Sequence, residues 1–243
     1  MKQSAPDKGI QVNKYISNSG FCSRREADQL IADARVTIND DIALPTSRVQ
    51  PGDRVAIDGE KIKSQQKRIY IALHKPVGVT STTDPSDRTN IIRFMNHPKR
   101  IFPVGRLDKD SEGLILLTND GDIVNKILRA GNNNEKEYIV TVDKELTPDM
   151  IRGMSSGVRI LGERTQPCFI RQEGQRRFRI ILKQGLNRQI RRMCETFGYK
   201  VKTLKRIRIM HIQLGNLAVG KWRYLTPTEM EQLEKALENA AGH

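Results

Sequence analysis

The chain has 243 residues, of which 37% are hydrophobic and 29% charged, a composition typical of globular proteins that remain in water. No apolar run approaches the roughly 18 residues of a membrane-spanning helix, and the first ten residues lack the apolar core of a signal peptide, which predicts a cytoplasmic protein. Lys and Arg number 42 against 28 Asp and Glu, a net charge of +14, which indicates a polyanionic partner such as RNA or DNA and no membrane partner.

The cysteines argue against a disulfide framework and against a zinc site. Cys22, Cys168 and Cys194 are odd in number and show no CxxC spacing. The four histidines are scattered along the chain. The sequence therefore predicts neither a metal site nor a metalloenzyme.

The N-terminal part predicts a small domain of two helices followed by short strands. We expect a loose tail over residues 1–10, a domain over 11–62 and a linker over 63–68. Ser23 and Glu26 form a capping-box pattern, so the second helix should begin there with Arg24 and Arg25 exposed in its first turn. Two cations at a helix N-terminus oppose the helix dipole, which suggests a use other than helix stability.

The segment NKYISNSGFCSRREAD within this domain resembles the S4 RNA-binding domain. The resemblance implies that Lys14, Arg24 and Arg25 contact structured RNA. A generic capped surface helix is the alternative reading of the same residues.

The remaining chain alternates strands and helices without an internal repeat, and we expect a catalytic domain over 69–233 and a C-terminal tail over 234–243. The predicted strands are IYIALHKPVG, RIFPVG, GLILLTNDG, EKEYIVTV and RFRIILK. One helix should run from Asp122 to Arg129 and another from a cap at Asn187 through Phe197, with Arg188, Arg191 and Arg192 on its polar side. Few helices between such strands predict an α+β fold around a mixed, largely antiparallel sheet.

Positive charge is concentrated late in this second part. Between Arg171 and Arg208 there are 13 basic and two acidic residues, a net of +11. Neutralisation of phosphates by such a segment would make binding fall steeply with salt. A basic face that serves solubility alone is the alternative.

The sequence does not support either of two common nucleotide-binding motifs. No GxGxxG follows a strand, which leaves a dinucleotide site unsupported. The segment GNLAVGK has phosphate-loop spacing, but Trp222 follows it where Ser or Thr should coordinate the metal. We interpret this segment as a turn between strands.

The segment FPVGRLDKDSEG carries the most informative polar residues of the chain. Asp108, Asp110 and Glu112 stand there beside Arg106 and Lys109 in a loop after a predicted strand. Such carboxylates often only cap or solvate a loop. A carboxylate held ionised near an arginine at neutral pH could instead serve as a nucleophile or base.

Three segments together resemble the RNA pseudouridine synthases. They are GRLDKDSEGLILLTNDG, EKEY and GLNRQIRRM, and they place the chain in the branch that modifies ribosomal RNA and includes the small-subunit synthase A family. GRLDKDS, NKILRAGN and EKEYIVTVDK are most similar to the large-subunit synthase F group. The resemblance runs from Val12 to Leu225; Ser111 stands where many members have Thr, and the long basic tail of some relatives is missing.

The resemblance implies a role for each site residue. Asp108 would be the catalytic carboxylate, attacking either the uracil ring or the ribose C1′. Tyr138 would stack on the target base, Arg191 would pair with Asp108, and Arg106 would enter the space left by the extruded nucleotide. The expected further substrate contacts are Leu204, packed against the base, together with Asn187, Arg188 and Arg192.

The implied reaction is the isomerisation of a uridine to pseudouridine, which is redox-neutral and needs no cofactor. The implied partner is ribosomal RNA, 23S rRNA in the first place, with tRNA as a possible second substrate of a monomeric enzyme. The alternative from another class is a non-catalytic RNA-binding factor for ribosome assembly on the same scaffold.

Overall fold

A computed structural model describes residues 9–62, 66–128 and 134–239. The chain divides into two compact units, one from Met1 to Arg68 and one from Ile69 to His243. Each unit has its own hydrophobic core. Within the described residues no helix is both long enough and apolar enough to cross a membrane.

The first unit packs two helices against short strands. Its helices are α1 Val12–Asn18 and α2 Arg24–Ala32. Its strands are β1 Ile10–Gln11, β2 Val36–Ile38, β3 Asp41–Ile42, β4 Arg48–Val49, β5 Val55–Ile57 and β6 Glu60–Lys61. β1 pairs with β4, and the other four strands form a sheet in the order β3-β2-β5-β6.

The predicted capping box at the start of α2 is present. The Glu26 amide donates to Ser23 Oγ at 3.1 Å, and the Ser23 amide donates to Glu26 Oε2 at 2.6 Å. Ala27 and Ile31 of this helix are buried in the core of the unit. Arg24 and Arg25 are exposed in the first turn, as the sequence predicted.

The second unit is built on one nine-stranded sheet with the main order β13-β14-β10-β15-β9-β7-β17. Its strands are β7 Tyr70–Lys75, β8 Phe102–Val104, β9 Glu112–Thr118, β10 Lys136–Val142, β13 Phe169–Gly174, β14 Arg177–Leu182, β15 Val201–Ile209, β16 Ile212–Gln213 and β17 Trp222–Tyr224. A separate hairpin joins β11 Arg159–Ile160 and β12 Glu163–Arg164. β9 and β15 run parallel and their neighbours pair antiparallel, which confirms the α+β fold with a mixed, largely antiparallel sheet.

Helices lie on both faces of this sheet, and β7 and β9 are therefore buried along nearly their whole length. The helices are α3 Ile91–Met95, α4 Gly121–Leu128, α5 Pro148–Ser155, α6 Gln189–Thr196 and α7 Pro227–Asn239. Ile71 and Leu73 join the core under α3, α5 and α6, whereas Ala72 between them joins the core under α4 and α7. Alternate residues of one strand therefore enter two different cores.

The structure corrects two of the expected boundaries. The helix α7 continues to Asn239 and buries Leu237, so residues 234–239 are part of the second unit and not a tail. Ile10 pairs with Val49 in a sheet, so it belongs to the first unit. The expected helix over 122–129 is α4, and Arg129, residues 1–8 and residues 63–65 lie outside the described residues. The segment GNLAVGK connects β16 to β17, as its interpretation as a turn required.

Candidate active site

The three carboxylates singled out in the sequence stand at one connection of the sheet. Residues 105–111, named here the aspartate loop, join β8 to β9. The Ser111 amide donates to the Asp108 carbonyl at 3.0 Å, which closes a turn. Buried Ser81 fixes the loop from outside, because its Oγ donates to the Leu107 carbonyl at 2.8 Å.

Two buried arginines hold the backbone of the aspartate loop. Arg191 of α6 donates from Nη2 to the Asp110 carbonyl at 3.0 Å and to Ser111 Oγ at 3.2 Å. Arg206 of β15 donates from Nε to the Leu114 carbonyl at 2.6 Å and from Nη1 to the Arg106 carbonyl at 3.4 Å. Hydrogen bonds from charged donors are stronger than neutral ones, so the two guanidiniums stabilise the observed conformation of the loop and of the start of β9.

Arg188 lies near both Asp108 and Asp110, whereas Arg191 pairs with Asp110. The carboxylate oxygen Oδ2 of Asp108 lies 3.5 Å from Arg188 Nη1, and about one third of its side chain (35%) is exposed. Asp110 accepts from both Nη atoms of Arg188 at 3.2 and 3.1 Å and lies 3.3 Å from Arg191 Nη2. Partial burial opposes ionisation of Asp110, but the hydrogen bonds of Arg188 and the charge of Arg191 lower its pKa overall.

The contacts of Arg191 differ from the expected ones. The resemblance implied an ion pair between Arg191 and Asp108, whereas the structure pairs Arg191 with Asp110 and places Arg188 beside Asp108. Arg191 is also buried, not on the polar side of its helix, because the loop supplies its hydrogen-bond acceptors.

The start of α6 differs from its sequence prediction as well. Arg188 is the residue before the helix and adopts a left-handed conformation with φ of +49°. The Asn187 side chain does not cap the helix; its Oδ1 accepts from Arg192 Nη2 at 3.2 Å. The Gln189 side chain instead accepts from the Leu186 amide at 3.0 Å. This left-handed backbone conformation directs the Arg188 side chain toward the aspartate loop.

Tyr138 and Leu204 lie on the same face of the sheet. Tyr138 of β10 pairs with Arg206 of β15, and Leu204 pairs with Val140; directly paired residues point to the same side. The Arg206 guanidinium carbon is 6.0 Å from the centre of the Tyr138 ring. Both Tyr138 and Leu204 are buried in the core under α3, α5 and α6, whereas Arg106 is exposed on the aspartate loop.

Lys75 is a charged neighbour of the site that sequence reasoning missed. Its side chain is fully buried at the end of β7, and Nζ donates to the carbonyls of Pro76 and Val79 at 2.9 and 2.8 Å. Burial, with the charge of Arg206, lowers the pKa of Lys75 to about 8, although Asp108 and Asp110 act in the opposite direction. A lysine at the end of a mostly apolar strand was the available signal.

The expected RNA contacts of the first unit lie on its two helices. Lys14 is half-buried on α1, and Arg24 and Arg25 are exposed on α2. Nowhere in the described ranges do three or more His, Cys, Asp or Glu side chains form a group that could hold a metal ion.

Each of the two units matches a known protein family. The family model for RNA pseudouridylate synthase matches residues 69–196, and the model for the S4 domain matches residues 12–55. The dual-specificity RNA pseudouridine synthase RluF of Escherichia coli K12 is 55% identical over 97% of this chain and 82% of its own length. The ribosomal large subunit pseudouridine synthase B of Bacillus subtilis is 32% identical over 92% of this chain and 95% of its own. A crystal structure of a pseudouridylate synthase superimposes with a TM-score of 0.68 and 27% identity, covering 93% of this chain and 100% of that one.

Proposed function

Because this chain belongs to the RNA pseudouridine synthase family and carries an S4 domain, we propose that it isomerises a specific uridine of 23S ribosomal RNA with Asp108 as the catalytic carboxylate. The observation that carries the site assignment is the aspartate loop held by Arg191 and Arg206, with Asp108 beside Arg188 and partly open to solvent. Of the loop's two aspartates, Asp110 is occupied by two arginines. Asp108 is therefore the better placed to meet a substrate.

The isomerisation breaks the bond between uracil N1 and ribose C1′ and forms a bond between uracil C5 and C1′. The hydrogen on C5 leaves as a proton, and the proton that N1 gains balances it, so no electron donor is consumed. Asp108 can attack the ring or C1′, and it can afterwards accept the proton from C5. Arg188 orients the carboxylate. The hydrogen bonds of Arg191 and Arg206 hold the backbone of the loop in place while the base rotates.

We assign Tyr138 and Leu204 to the binding of the target base. They lie on the sheet face that α6 and the aspartate loop border, and Arg206 holds the Tyr138 ring from one side. The target base must leave its stack to reach a carboxylate, at a cost of a few kcal/mol. An aromatic ring beneath the base offsets part of that cost, and the exposed Arg106 can fill the vacated space. Asn187 and Arg192 support the turn that presents Arg188.

The charge of the chain, the cations of the first unit and the relatives support ribosomal RNA as the substrate. A net charge of +14 and the cations Lys14, Arg24 and Arg25 fit a large structured RNA. The relatives support this choice, since one is named for the large ribosomal subunit and another for dual specificity. Transfer RNA is therefore the second substrate to test, and the proposed place of action is the cytoplasm, where the chain would work as a monomer.

Tritium release tests the activity and the substrate together. The chain is incubated with transcripts of 23S rRNA, 16S rRNA and tRNA that carry tritium at C5 of uridine, since pseudouridine formation releases that label. We expect release from 23S rRNA, with tRNA as a weaker substrate and 16S rRNA inert. The absence of release from all three, and from precursor ribosomal particles, would support the non-catalytic assembly factor instead.

A further inference from the structure

Four aromatic side chains form an exposed cluster that the site described above does not use. This edge aromatic patch consists of Phe94, His97, Trp222 and Tyr224. The Trp222 ring lies 5.6 Å from the His97 ring and 5.4 Å from the Tyr224 ring, both edge to face. His97 Nε2 is 3.2 Å from the Tyr224 hydroxyl. The exposed fractions of Phe94, Trp222 and Tyr224 are 40%, 38% and 51%. The rings of His97, Trp222 and Tyr224 contact each other and are still open to solvent, and the Phe94 ring lies beside Gly220 of the segment that leads to Trp222.

The patch lies at the edge of the sheet and on the same face as Tyr138. β17 is the last strand of the main order. Trp222 pairs with Leu73 and Tyr224 with Ile71, and these two residues belong to the core that contains Tyr138. Two strand spacings, about 10 Å, separate β17 from β9, which follows the aspartate loop. An RNA that places a nucleotide at Asp108 can therefore extend to the patch.

The chain segments that carry the patch are rich in cations, one of which, Arg223, is paired with Glu229. Arg93, Lys99, Arg100 and Lys221 are neighbours of its members in the chain, and none of these four cations forms an ion pair within the described part of the protein. The segments 91–107 and 215–228 contain no Asp or Glu. Cations without carboxylate partners beside stacked aromatic rings have the chemistry of a single-stranded RNA site, in which bases stack on rings and phosphates meet Lys and Arg.

We propose that the edge aromatic patch binds an unpaired nucleotide of the substrate RNA outside the target position, with the base stacked on Trp222 and its phosphates near Lys221 and Lys99. This inference rests on the proposed RNA substrate and assigns a second contact surface on the catalytic unit. Exposed aromatic surface is unfavourable in water without a partner. The edge-to-face contacts order the rings in advance, so little conformational entropy is lost when a base binds.

The intrinsic fluorescence of Trp222 reports directly on this contact, because the chain contains a single tryptophan. The experiment uses the full chain with Asp108→Asn, so that no turnover occurs, and titrates it with a single-stranded RNA 12-mer of mixed sequence. A blunt RNA duplex of equal length is the comparison. We expect saturable quenching by the single strand and much weaker quenching by the duplex. Quenching by neither RNA, or equal quenching by both, would overturn the proposal.

Substitutions separate RNA binding from a role in covering the sheet edge. Trp222→Ala should weaken RNA affinity about tenfold, as expected for the loss of one base stack, whereas Trp222→Phe should retain most of it. The matched control is Phe169→Ala, since Phe169 is 52% exposed on β13 at the opposite edge of the sheet. That variant should bind RNA like the parent.

Lys221→Gln provides a test that does not depend on the fold of the tryptophan variant. It should lower the slope of log affinity against log salt by about one, whereas Lys235→Gln on α7 should not. If Trp222→Ala melts earlier while its RNA affinity and the salt slope of Lys221→Gln stay parental, the patch only covers the edge and the proposal is wrong. Quenching without pseudouridine in 23S rRNA would contradict the proposed function alone, whereas pseudouridine without quenching would contradict this inference alone.

Discussion

Arg188 and Arg191 lie close together at the start of one helix and both contact Asp110 of the aspartate loop, and of the two Arg188 also lies near Asp108. Arg188 is the more exposed and the nearer to Asp108, whereas Arg191 is buried and donates to loop atoms and to the Val201 carbonyl. The two side chains therefore have separable roles. In the proposed mechanism Arg188 orients the Asp108 carboxylate, and Arg191 holds the loop in place.

Replacement of each arginine by lysine should reveal this difference. Lysine keeps the charge but cannot donate in several directions from one plane. We expect Arg191→Lys to lower the free energy of unfolding by about 1–3 kcal/mol, because buried acceptors lose their donor. Arg188→Lys should cost less than about 1 kcal/mol, as exposed ion pairs do, and should mainly slow single-turnover pseudouridine formation. Urea unfolding and single-turnover rates measure both effects, and equal stability losses in the two variants would argue against the assignment.

The buried Lys75 predicts a particular dependence of stability on pH. Its pKa in the folded protein is about 8, below the value of 10.5 for a solvated lysine. Between these two values the unfolded chain still holds a proton that the folded protein has released, so the Lys75 contribution to stability increases as the pH rises. Below pH 8 both states hold the proton, and the cost of burying the ammonium is present in full.

A comparison of the parent with Lys75→Met isolates this contribution, since the other titrating groups are common to both proteins. From pH 8 to pH 10 the unfolding free energy of the parent should rise relative to the variant, by at most about 1.4 kcal/mol per pH unit. Urea denaturation at several pH values gives the difference. A difference that stays constant or falls over this range would show that Lys75 titrates normally.

At the level of elements, the second residue of β9, Gly113, has to be glycine. Its φ is +121°, and a Cβ placed there would collide with the backbone oxygen and nitrogen of Arg206. Glycine thus allows β9 and β15 to approach where they pair in parallel and where Arg206 reaches the aspartate loop.

We expect Gly113→Ala to lower the free energy of unfolding by about 2–5 kcal/mol, from backbone strain together with overpacking. Gly162→Ala is the matched control, because its φ is also positive at +83° but no atom lies near its added methyl group. That variant should lose only about 1 kcal/mol. Thermal and urea unfolding decide the matter, and similar losses at both positions would exclude the backbone contact as the cause.

The elements also show what the sequence could predict. The capping box of Ser23 and Glu26 and the apolar strand of Ile71 and Leu73 depend on local spacing, and both were predicted correctly. The Asn187 cap was wrong because Arg188 adopts a left-handed conformation that local propensity does not reveal. The burial of Arg191 depends on acceptors about 80 residues away in the chain, at Asp110 and Ser111. The resemblance implied a pair between Arg191 and Asp108, whereas in the structure Arg191 contacts Asp110, a difference that depends on how α6 packs against the aspartate loop.

On the scale of the whole molecule, binding should combine contacts from the S4 unit and the catalytic unit. Arg24→Gln with Arg25→Gln should reduce the slope of log affinity against log salt by about two, one for each lost phosphate contact. The matched control is Arg35→Gln with Arg54→Gln, because these arginines pair with Asp58 and Asp40. Filter binding of 23S rRNA between low and moderate salt measures the slopes. Equal slopes in the two double variants would mean that the S4 helices contribute only general positive charge.

In the proposed mechanism Asp108 performs the chemistry and the neighbouring carboxylates do not. The most direct measurement is the single-turnover rate of pseudouridine formation in 23S rRNA, with RNA affinity in parallel, for Asp108→Asn, Asp110→Asn and Glu112→Gln. Asparagine preserves the shape of aspartate and removes its charge, so Asp108→Asn should form no detectable pseudouridine while its affinity stays within about twofold of the parent. Asp110→Asn should be slower but active, because it disturbs only the partners of Arg188 and Arg191, and Glu112→Gln should remain active. A near-parental rate for Asp108→Asn, or complete inactivity of Asp110→Asn with Asp108 intact, would contradict the account.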